Sequence, residues 1–201
     1  AMYEEITLVP FIVRQPRCKG SGVVNSTPVS HIDLLPTLLD LASLPIPPIL
    51  EGESLRPFLD GDEDSNRSVV IEFNRYEIEH DSWGGLQPIR CLVSGPYKLV
   101  INLLQTDELY NLDNDSAELN NLIDEPMYAR VRDRMHAELL EWMNEKRDPF
   151  RGPAWERRPW ANGRNLQWQG KFRPRPADGY APEVRDYDTG LPSQGVKIEK
   201  K

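Results

Sequence analysis

The sequence predicts an α+β fold in which a small antiparallel sheet of about four strands is packed by a helix that follows it. One observation is the run 89–112, IRCLVSGPYKLVINLLQTDELYNL, whose apolar segments are joined by the strand-reversing loop Ser-Gly-Pro at 94–96. A second is the apolar segment 68–73, which supplies one more strand. The third is the helical spacing of apolar side chains over residues 127–146.

Two apolar elements precede this sheet. Residues 8–13 are expected to form a buried strand, with Pro10 tolerated at its start or at a sheet edge. A helix is expected within residues 30–43, and Pro36 fits its first turn if Asp33 is the capping residue. One half of that helix is apolar and must be covered; it consists of Leu34, Leu35, Leu38, Leu39, Leu41 and Ala42.

Alternation of side chains gives the strand predicted at residues 97–103 two unlike faces. Lys98 and Asn102 fall on one face, so we expect that face to be half wet. The other face belongs to the core and carries Tyr97, Leu99, Ile101 and Leu103.

The rest of the chain contains one more strand, one more helix and a tail. After the strand at 108–112, the Asp-Asn-Asp of 113–115 favours an Asx turn and a helix start at 116–118. The closing helix at 127–146 is expected to pack its apolar stripe on the sheet. From residue 147 the composition shifts to Pro, Arg and aromatics without periodicity. This irregular tail is predicted to lay its aromatic side chains on its own domain or on a symmetry partner.

Composition excludes several classes of function. The net charge of −8 argues against nonspecific binding of nucleic acid or of an anionic membrane, and no apolar run approaches the roughly 18 residues that span a bilayer. Cys18 and Cys91 cannot build a disulfide scaffold, so two unpaired thiols in a reducing compartment, the cytoplasm, are predicted. The three histidines lack metal-ligand spacing. The acidic loop 60–64 lacks the ligand pattern of an EF-hand and is expected to be hydrated.

Three motifs carry a family resemblance. They are MYEEITLVPFIVRQP at 2–16, VSHIDLLPTLLDLASLPIP at 29–47, and YKLVINL followed by DELYNLDNDSAELNNL within 97–122. In this order they resemble the C-terminal part of a type I sulfatase of the alkaline phosphatase superfamily. One departure is Ser116, which stands where the family often has proline.

The resemblance implies a division of the chain and a missing catalytic half. Residues 1–66 would be the end of the sulfatase α/β domain, with its last strand and helix, 67–146 an antiparallel-sheet subdomain, and 147–201 the tail. Such enzymes hydrolyse sulfate esters with a formylglycine and a divalent cation, usually calcium. Neither Cys18 nor Cys91 has the proline and arginine of the formylglycine motif, so the sequence offers no catalytic and no metal residue.

Several consequences are expected from that missing half. The chain alone should be inactive, and it should expose a large apolar patch that pairs with the N-terminal half of the sulfatase or with a second copy. A sulfated carbohydrate or small molecule is the expected substrate of the complete protein. A related phosphodiesterase or phosphonate hydrolase is the alternative enzyme, and a stand-alone interaction module is the alternative without catalysis.

The connection 74–88 holds the candidate substrate contacts. His80 and Asp81 could hydrogen-bond sugar hydroxyls, and Arg90 could engage a further anionic group. The alternative is that Arg90 pairs with Glu72 on the neighbouring strand and that the loop is merely hydrated.

Overall fold

A computed structural model describes residues 2–15, 22–64, 67–75, 87–103 and 105–161. The chain forms two compact units, one made of residues 1–30 and 57–169 and the other of 31–56 and 170–201. The division predicted from the sequence, with boundaries after residues 66 and 146, stays a prediction. His80, Asp81 and Cys18 lie outside the described residues.

The first unit contains one antiparallel sheet whose strands follow each other in sequence order. Its strands are β1 (Ser68–Arg75), β2 (Gln87–Ser94), β3 (Tyr97–Asn102) and β4 (Glu108–Asn111). The turn between β2 and β3 places Gly95 at a φ of 56°, a left-handed conformation that glycine adopts without a steric penalty. The predicted α+β fold with its four-stranded sheet is therefore confirmed.

Five α-helices are found in the described part of the chain: α1 (Glu4–Thr7), α2 (Leu34–Leu41), α3 (Arg56–Leu59), α4 (Ala129–Glu145) and α5 (Pro153–Glu156). Among them none is long and apolar enough to cross a membrane. The predicted closing helix corresponds to α4, and its apolar stripe covers one face of the sheet as expected. The core between them contains Leu92, Leu99, Ile101, Leu109, Met135, Leu139 and Met143.

The opposite face of the sheet was expected to be half wet, and that expectation is wrong. Lys98 is fully buried there and Asn102 nearly so. Met2, at the start of the chain, packs with Ile89, Cys91 and Val100 and closes this face. Alternation in β3 had correctly separated the two faces but could not reveal a cover supplied by residues more than 90 positions away.

The helix start predicted at residues 116–118 is also wrong, because this stretch forms turns. The predicted Asx turn would bond the amide two residues on, whereas Asp115 accepts hydrogen bonds from the Leu119 and Asn120 amides, four and five residues on, at 3.1 and 2.8 Å. Glu118 has a φ of 53°, in the left-handed region. A non-glycine residue costs about 1–2 kcal/mol there and cannot continue a right-handed helix.

Residues 8–13 do not form the predicted strand. They are extended and exposed, with Ile12 at 91% of its full accessibility. The sheet of the described residues does not include them, and a strand needs a neighbour to satisfy its backbone hydrogen bonds. The segment therefore presents apolar side chains to the solvent.

The second unit contains the predicted helix of residues 30–43, as a 3₁₀ turn (His31–Asp33) followed by α2. Pro36 lies in the first turn of α2 as expected, but Asp33 makes no side-chain cap and instead accepts the Glu53 amide at 3.0 Å. The large side chains of the apolar half of the helix are exposed: Leu34, Leu35, Leu38 and Leu41. The apolar surface expected on the isolated chain is thus present.

Gly52 explains how this second unit closes. A Cβ atom at position 52 would lie 2.1 Å from the Ile32 carbonyl oxygen, so only glycine allows the two backbones to approach. Thr37 then donates a hydrogen bond to the Asp33 carbonyl at 2.6 Å and accepts one from the Leu55 amide at 2.8 Å. The buried side of α2 therefore consists of Pro36 and of Thr37, whose hydroxyl is already hydrogen-bonded, and the leucines face outward.

The predicted tail begins as part of the first unit. After α5, a 3₁₀ turn covers Pro159–Ala161, and the side chains of Trp155 and Trp160 lie in the same core as α4. The prediction that tail aromatics pack on their own domain is confirmed for these two residues. Residues 162–201 lie outside the described part of the chain.

Candidate functional site

Arg90 is the predicted substrate contact that the structure describes, and it is completely buried on β2. Its Nε donates to Asp148 Oδ2 at 2.6 Å, and its Nη1 donates to Asn74 Oδ1 at 2.7 Å. Nη2 lies 3.3 Å from Glu72 Oε1, which is within ion-pair distance but lacks hydrogen-bond geometry. The aromatic rings of Phe150 and Trp155 complete its surroundings, with centroids 5.4 and 5.8 Å from Cζ.

These contacts confirm the alternative that had been left open for this residue. Glu72 and Arg90 are directly opposite each other on neighbouring strands, and they form the predicted ion pair. The described structure does not bring Arg90 together with His80 or Asp81, because those two lie outside the described residues. A contact of Arg90 with substrate stays a prediction, whereas its role in fastening the ends of β1 and α4 is evident from its partners.

A second buried ionic cluster surrounds Lys98, and sequence reasoning missed it. Lys98 Nζ lies 2.6 Å from Glu4 Oε1, 2.8 Å from Glu118 Oε1 and 3.1 Å from Thr7 Oγ1. These contacts use all three of its N–H donors. Burial alone would lower the pKa of Lys98, but the hydrogen bonds to Glu118 and Glu4 outweigh it and raise the pKa above its usual value.

The partners of Lys98 come from two distant parts of the chain. Glu4 belongs to α1, and Glu118 lies in the turn after β4. Glu118 Oε2 also accepts the Glu4 amide at 2.6 Å, so both of its carboxylate oxygens are used. One signal could have revealed the cluster: all three charged residues lie in family-like motifs, Glu4 in the motif at 2–16 and Lys98 and Glu118 in the motif at 97–122.

Glu108 adds a further carboxylate on the same face as Lys98. Its Oε2 is buried without a hydrogen-bond partner. Burial raises the pKa of Glu108, and the nearby charge of Glu118 acts in the same direction. The neighbouring Cys91 is free and buried, and burial raises the pKa of its thiol to about 12.

Glu108→Gln should stabilise the chain at neutral pH. A carboxyl group with a raised pKa stabilises the folded state at low pH, and that contribution is lost as the pH rises from the unfolded pKa, near 4.5, through the folded one. The neutral amide avoids this loss, so the free energy of unfolding at pH 7 should increase by about 0.5 kcal/mol. Urea denaturation at pH 7 and pH 4 measures the effect.

The gain of Glu108→Gln should shrink towards pH 4, where the native carboxyl is itself protonated. Glu138→Gln, at an exposed pair with Arg134, is the matched control and should change little. An equal loss of stability for Glu108→Gln at both pH values would contradict the assignment of a raised pKa.

Two further polar clusters are structural. Asp107 accepts hydrogen bonds from Arg158 Nε at 2.7 Å, from Arg158 Nη2 at 2.8 Å and from Trp160 Nε1 at 2.8 Å. His136 is buried, and its Nε2 lies 2.6 Å from the Trp155 carbonyl oxygen, so Nε2 carries the hydrogen. Burial lowers the pKa of His136 and keeps the ring neutral. Both clusters hold the segment after α4 against the core.

The described residues do not fit the two groups that the family resemblance implies. No cluster of three or more His, Cys, Asp or Glu side chains within them could hold a metal ion. Cys91 is inaccessible, its thiol is kept protonated, and it has no proline two residues later. Neither calcium binding nor formylglycine chemistry can therefore be assigned to the described part of this chain.

Comparison with known proteins decides the family. The model of the C-terminal part of N-sulphoglucosamine sulphohydrolase matches residues 1–145. The chain belongs to the sulfatases. It is 53% identical over 201 residues to the uncharacterized sulfatase YidJ of Escherichia coli K12, covering all of this chain and 39% of that protein. It is 32% identical over 161 residues to a delta 4,5-hexuronate-2-O-sulfatase of Bacteroides thetaiotaomicron, covering 75% of this chain and 31% of that protein.

Solved structures agree with this assignment. A 2-O GAG sulfatase superposes with a TM-score of 0.52 and 33% sequence identity, over 59% of this chain and 25% of its own. A phosphonate monoester hydrolase from Silicibacter pomeroyi superposes with a TM-score of 0.51 and 26% sequence identity, over 66% of this chain and 28% of the hydrolase chain. The sulfatase chain thus spans less than two fifths of the length of these curated relatives, and it corresponds to their C-terminal domain.

Proposed function

We propose that this sulfatase chain is the C-terminal part of an enzyme that hydrolyses sulfate esters of carbohydrates. The match of residues 1–145 to a sulfatase C-terminal family carries the proposal. Two relatives, named delta 4,5-hexuronate-2-O-sulfatase and N-acetylglucosamine-6-O-sulfatase, support a carbohydrate as the substrate. They are 32% and 26% identical to this chain.

The chemical groups of the reaction are assigned to the rest of the complete protein. A formylglycine and a divalent cation, calcium in the family, would supply the nucleophile and stabilise charge on the sulfate oxygens. The described residues offer no fit for either group, so this chain is proposed to be inactive alone. Its part would be to complete the protein around the catalytic portion.

The connection between β1 and β2 is proposed as part of the substrate rim. His80 and Asp81 there would hydrogen-bond sugar hydroxyls, because an imidazole and a carboxylate match such donors and acceptors. Arg90 is proposed to contribute through its contacts with Glu72 and Asn74, which lie on the strand that leads into this connection.

The proposed partner of this chain is the N-terminal half of the sulfatase. Two apolar surfaces support it, the extended segment 8–13 and the outward side of α2. Exposed apolar surface of this extent marks an interaction site. The isolated chain should bind a hydrophobic dye, and it should either associate with itself or pair with an N-terminal fragment; a monomer without dye binding would contradict this.

The net charge of −8 supports neither nucleic acid nor membrane as a partner, and free Cys91 supports a reducing compartment such as the cytoplasm.

Assays of the complete protein test the proposed function. The 201-residue chain should release no sulfate from aryl or carbohydrate sulfates, whereas the complete protein should hydrolyse both. In the complete protein, His80→Ala and Asp81→Ala should each raise KM for a carbohydrate sulfate about tenfold, the loss expected for one hydrogen bond to substrate. KM for a small aryl sulfate should stay nearly unchanged, because that substrate does not reach the rim.

Each outcome of these assays has a distinct meaning. Equal losses on both substrates, or none on either, would remove the 74–88 connection from the specificity argument. Turnover of an aryl sulfate by the purified chain alone would overturn the proposal that catalysis resides elsewhere. The superposition with a phosphonate monoester hydrolase favours phosphonate esters as a second candidate substrate class, so a phenylphosphonate ester belongs in the same assay.

A further inference from the structure

The contact between α1 and the sheet depends on one buried cationic group. We propose that Lys98, Glu4 and Glu118, here named the Lys98 clamp, fix α1 on the sheet, and that Lys98 is thereby a positioning residue for the sulfatase active site. This positioning role of Lys98 rests on the proposed function. Neither the family match nor the names of the relatives assigns a role to these three residues.

The hydrogen bonds of the clamp use every N–H donor of Lys98 and both carboxylate oxygens of Glu118. Lys98 Nζ donates to Glu4, Glu118 and Thr7, at 2.6, 2.8 and 3.1 Å. Glu118 accepts from Lys98 with one carboxylate oxygen and from the Glu4 amide with the other. The side chain of Glu4 is therefore held by Lys98, and its backbone amide is held by Glu118. Glu118 adopts a left-handed φ of 53° in making these contacts.

The positive charge of Lys98 allows the two carboxylates of the clamp to lie close together. The ammonium group and the Glu118 carboxylate are almost completely buried, with side-chain exposures of 0% and 1%. Without the ammonium group, the carboxylates of Glu4 and Glu118 would face each other with no cation between them. A buried charge that loses its partner is strongly destabilising, so α1 would have to move away.

The helix has little else to hold it. It is four residues long, none of its residues is buried, and such a short helix is unstable by itself. Only Met2, which precedes it, enters the apolar cluster on this face of the sheet. Besides the clamp, α1 is therefore held only through the two residues before it, Met2 in the apolar cluster and Tyr3, whose ring lies 6.3 Å from that of Tyr110.

The position of α1 in the family gives this contact its functional weight. The family model describes a C-terminal region, and curated relatives are more than twice as long as this chain. In the complete protein as proposed, the catalytic portion precedes α1 in the chain, so the residues before α1 connect it to this domain. A clamp on α1 then holds that portion in a fixed position relative to the sheet.

Cys91 provides a direct measurement of the clamp. Its thiol is completely buried in the cluster that Met2 closes, so movement of α1 and Met2 should expose it to a thiol reagent. The experiment compares labelling of Cys91 in Cys18→Ser chains that carry Lys98→Met, Glu4→Gln or no further change. We expect labelling to accelerate about tenfold for Glu4→Gln and at least about a hundredfold for Lys98→Met.

Two controls separate a local clamp from a general loss of stability. Arg134→Met removes an exposed ion pair with Glu138 on α4 and should leave labelling unchanged. Urea denaturation reports global unfolding, and for Glu4→Gln the increase in labelling should exceed the increase in the unfolded fraction. If Lys98→Met does not fold, Glu4→Gln decides the question, because it keeps the Lys98–Glu118 pair. Labelling that is unchanged, or that rises only with global unfolding, would overturn the clamp.

The complete protein tests the positioning role. Glu4→Gln and Lys98→Met should lower kcat for an aryl sulfate by about tenfold or more at unchanged KM, since misplaced catalytic groups slow the reaction more than they weaken binding. Full kcat in a variant with fast Cys91 labelling would overturn the positioning role. A native protein that hydrolyses no sulfate ester would instead reject the proposed function and the positioning role with it, while Cys91 labelling would still decide the clamp.

Discussion

A chain that ends after Glu145 should fail to fold cooperatively, although it retains every residue that matches the sulfatase family model. The truncation removes Trp155 and Trp160 from the core between the sheet and α4. Loss of one such aromatic side chain costs about 3–5 kcal/mol, while a whole domain is stable by only about 5–15 kcal/mol. Losing both therefore removes most or all of the stability.

The same truncation removes partners from three buried polar groups. Arg90 loses Asp148, Asp107 loses Arg158 and Trp160, and the His136 ring loses the Trp155 carbonyl. Each unsatisfied buried group costs about 1–3 kcal/mol, and charged groups cost more. Far-UV circular dichroism during urea denaturation measures the outcome without depending on the tryptophans that are removed.

Point variants provide the matched comparison for the truncation. Trp155→Ala should lower the free energy of unfolding by about 3–5 kcal/mol, because its side chain is almost fully buried. Leu119→Ala is the control, since Leu119 is 80% exposed and should change stability by less than about 0.5 kcal/mol. A truncated chain with a sharp urea transition at the native midpoint would show that the segment after α4 does not belong to the core.

Arg90→Met should lower the free energy of unfolding by about 3–5 kcal/mol. The change leaves the Asp148 carboxylate buried without its cation, and Asp148 has a side-chain exposure of only 1%. It also removes the hydrogen bond to Asn74 and the contacts with the rings of Phe150 and Trp155. Urea denaturation at pH 7 measures the loss.

A double variant separates the lost ion pair from lost packing at Arg90. Arg90→Met combined with Asp148→Leu should recover part of the loss, because it leaves no unpaired charge in the core. Arg134→Met on the surface of α4 should cost no more than about 0.5 kcal/mol, the usual size for an exposed helical pair. An effect of Arg90→Met no larger than that control would show that Arg90 is not a structural centre of the fold.

Local patterns were sufficient to predict the sheet. Alternating apolar residues and the Ser-Gly-Pro turn define β2 and β3, and the stripe that includes Met135 and Leu139 defines α4. These elements pair with neighbours in sequence, so the information that specifies them lies within a few tens of residues. For the same reason the order of the four strands follows directly from the sequence.

The errors arose where distant residues decide the structure. Lys98 was assigned to a half-wet face, but its partner Glu4 lies 94 positions away. The helix start at 116–118 was predicted from local propensity, whereas the side chain of Glu118 is directed to Lys98 and its backbone is left-handed. Residues 8–13 have strand composition, yet strand formation needs a partner that the described residues do not provide.

The sequence could not decide the role of Arg90 in the candidate site for the same physical reason. Arg90 looked equally suited to a substrate anion and to Glu72, and only the three-dimensional structure adds Asp148, which lies 58 positions away. Nothing in the composition near residue 148 distinguishes this aspartate from others in the tail. A buried arginine with a buried carboxylate is a pairing that local sequence patterns do not encode.

Because the ribosome adds residues in sequence order, the Lys98 clamp can form only some time after α1 has been synthesised. Glu4 is synthesised 114 residues before Glu118. At 5–20 residues per second, this separation corresponds to roughly 6–23 seconds of translation. During that time α1 cannot complete the clamp, because Lys98 and Glu118 have not both been synthesised. Nearly the whole sheet must therefore be synthesised before α1 can dock on it.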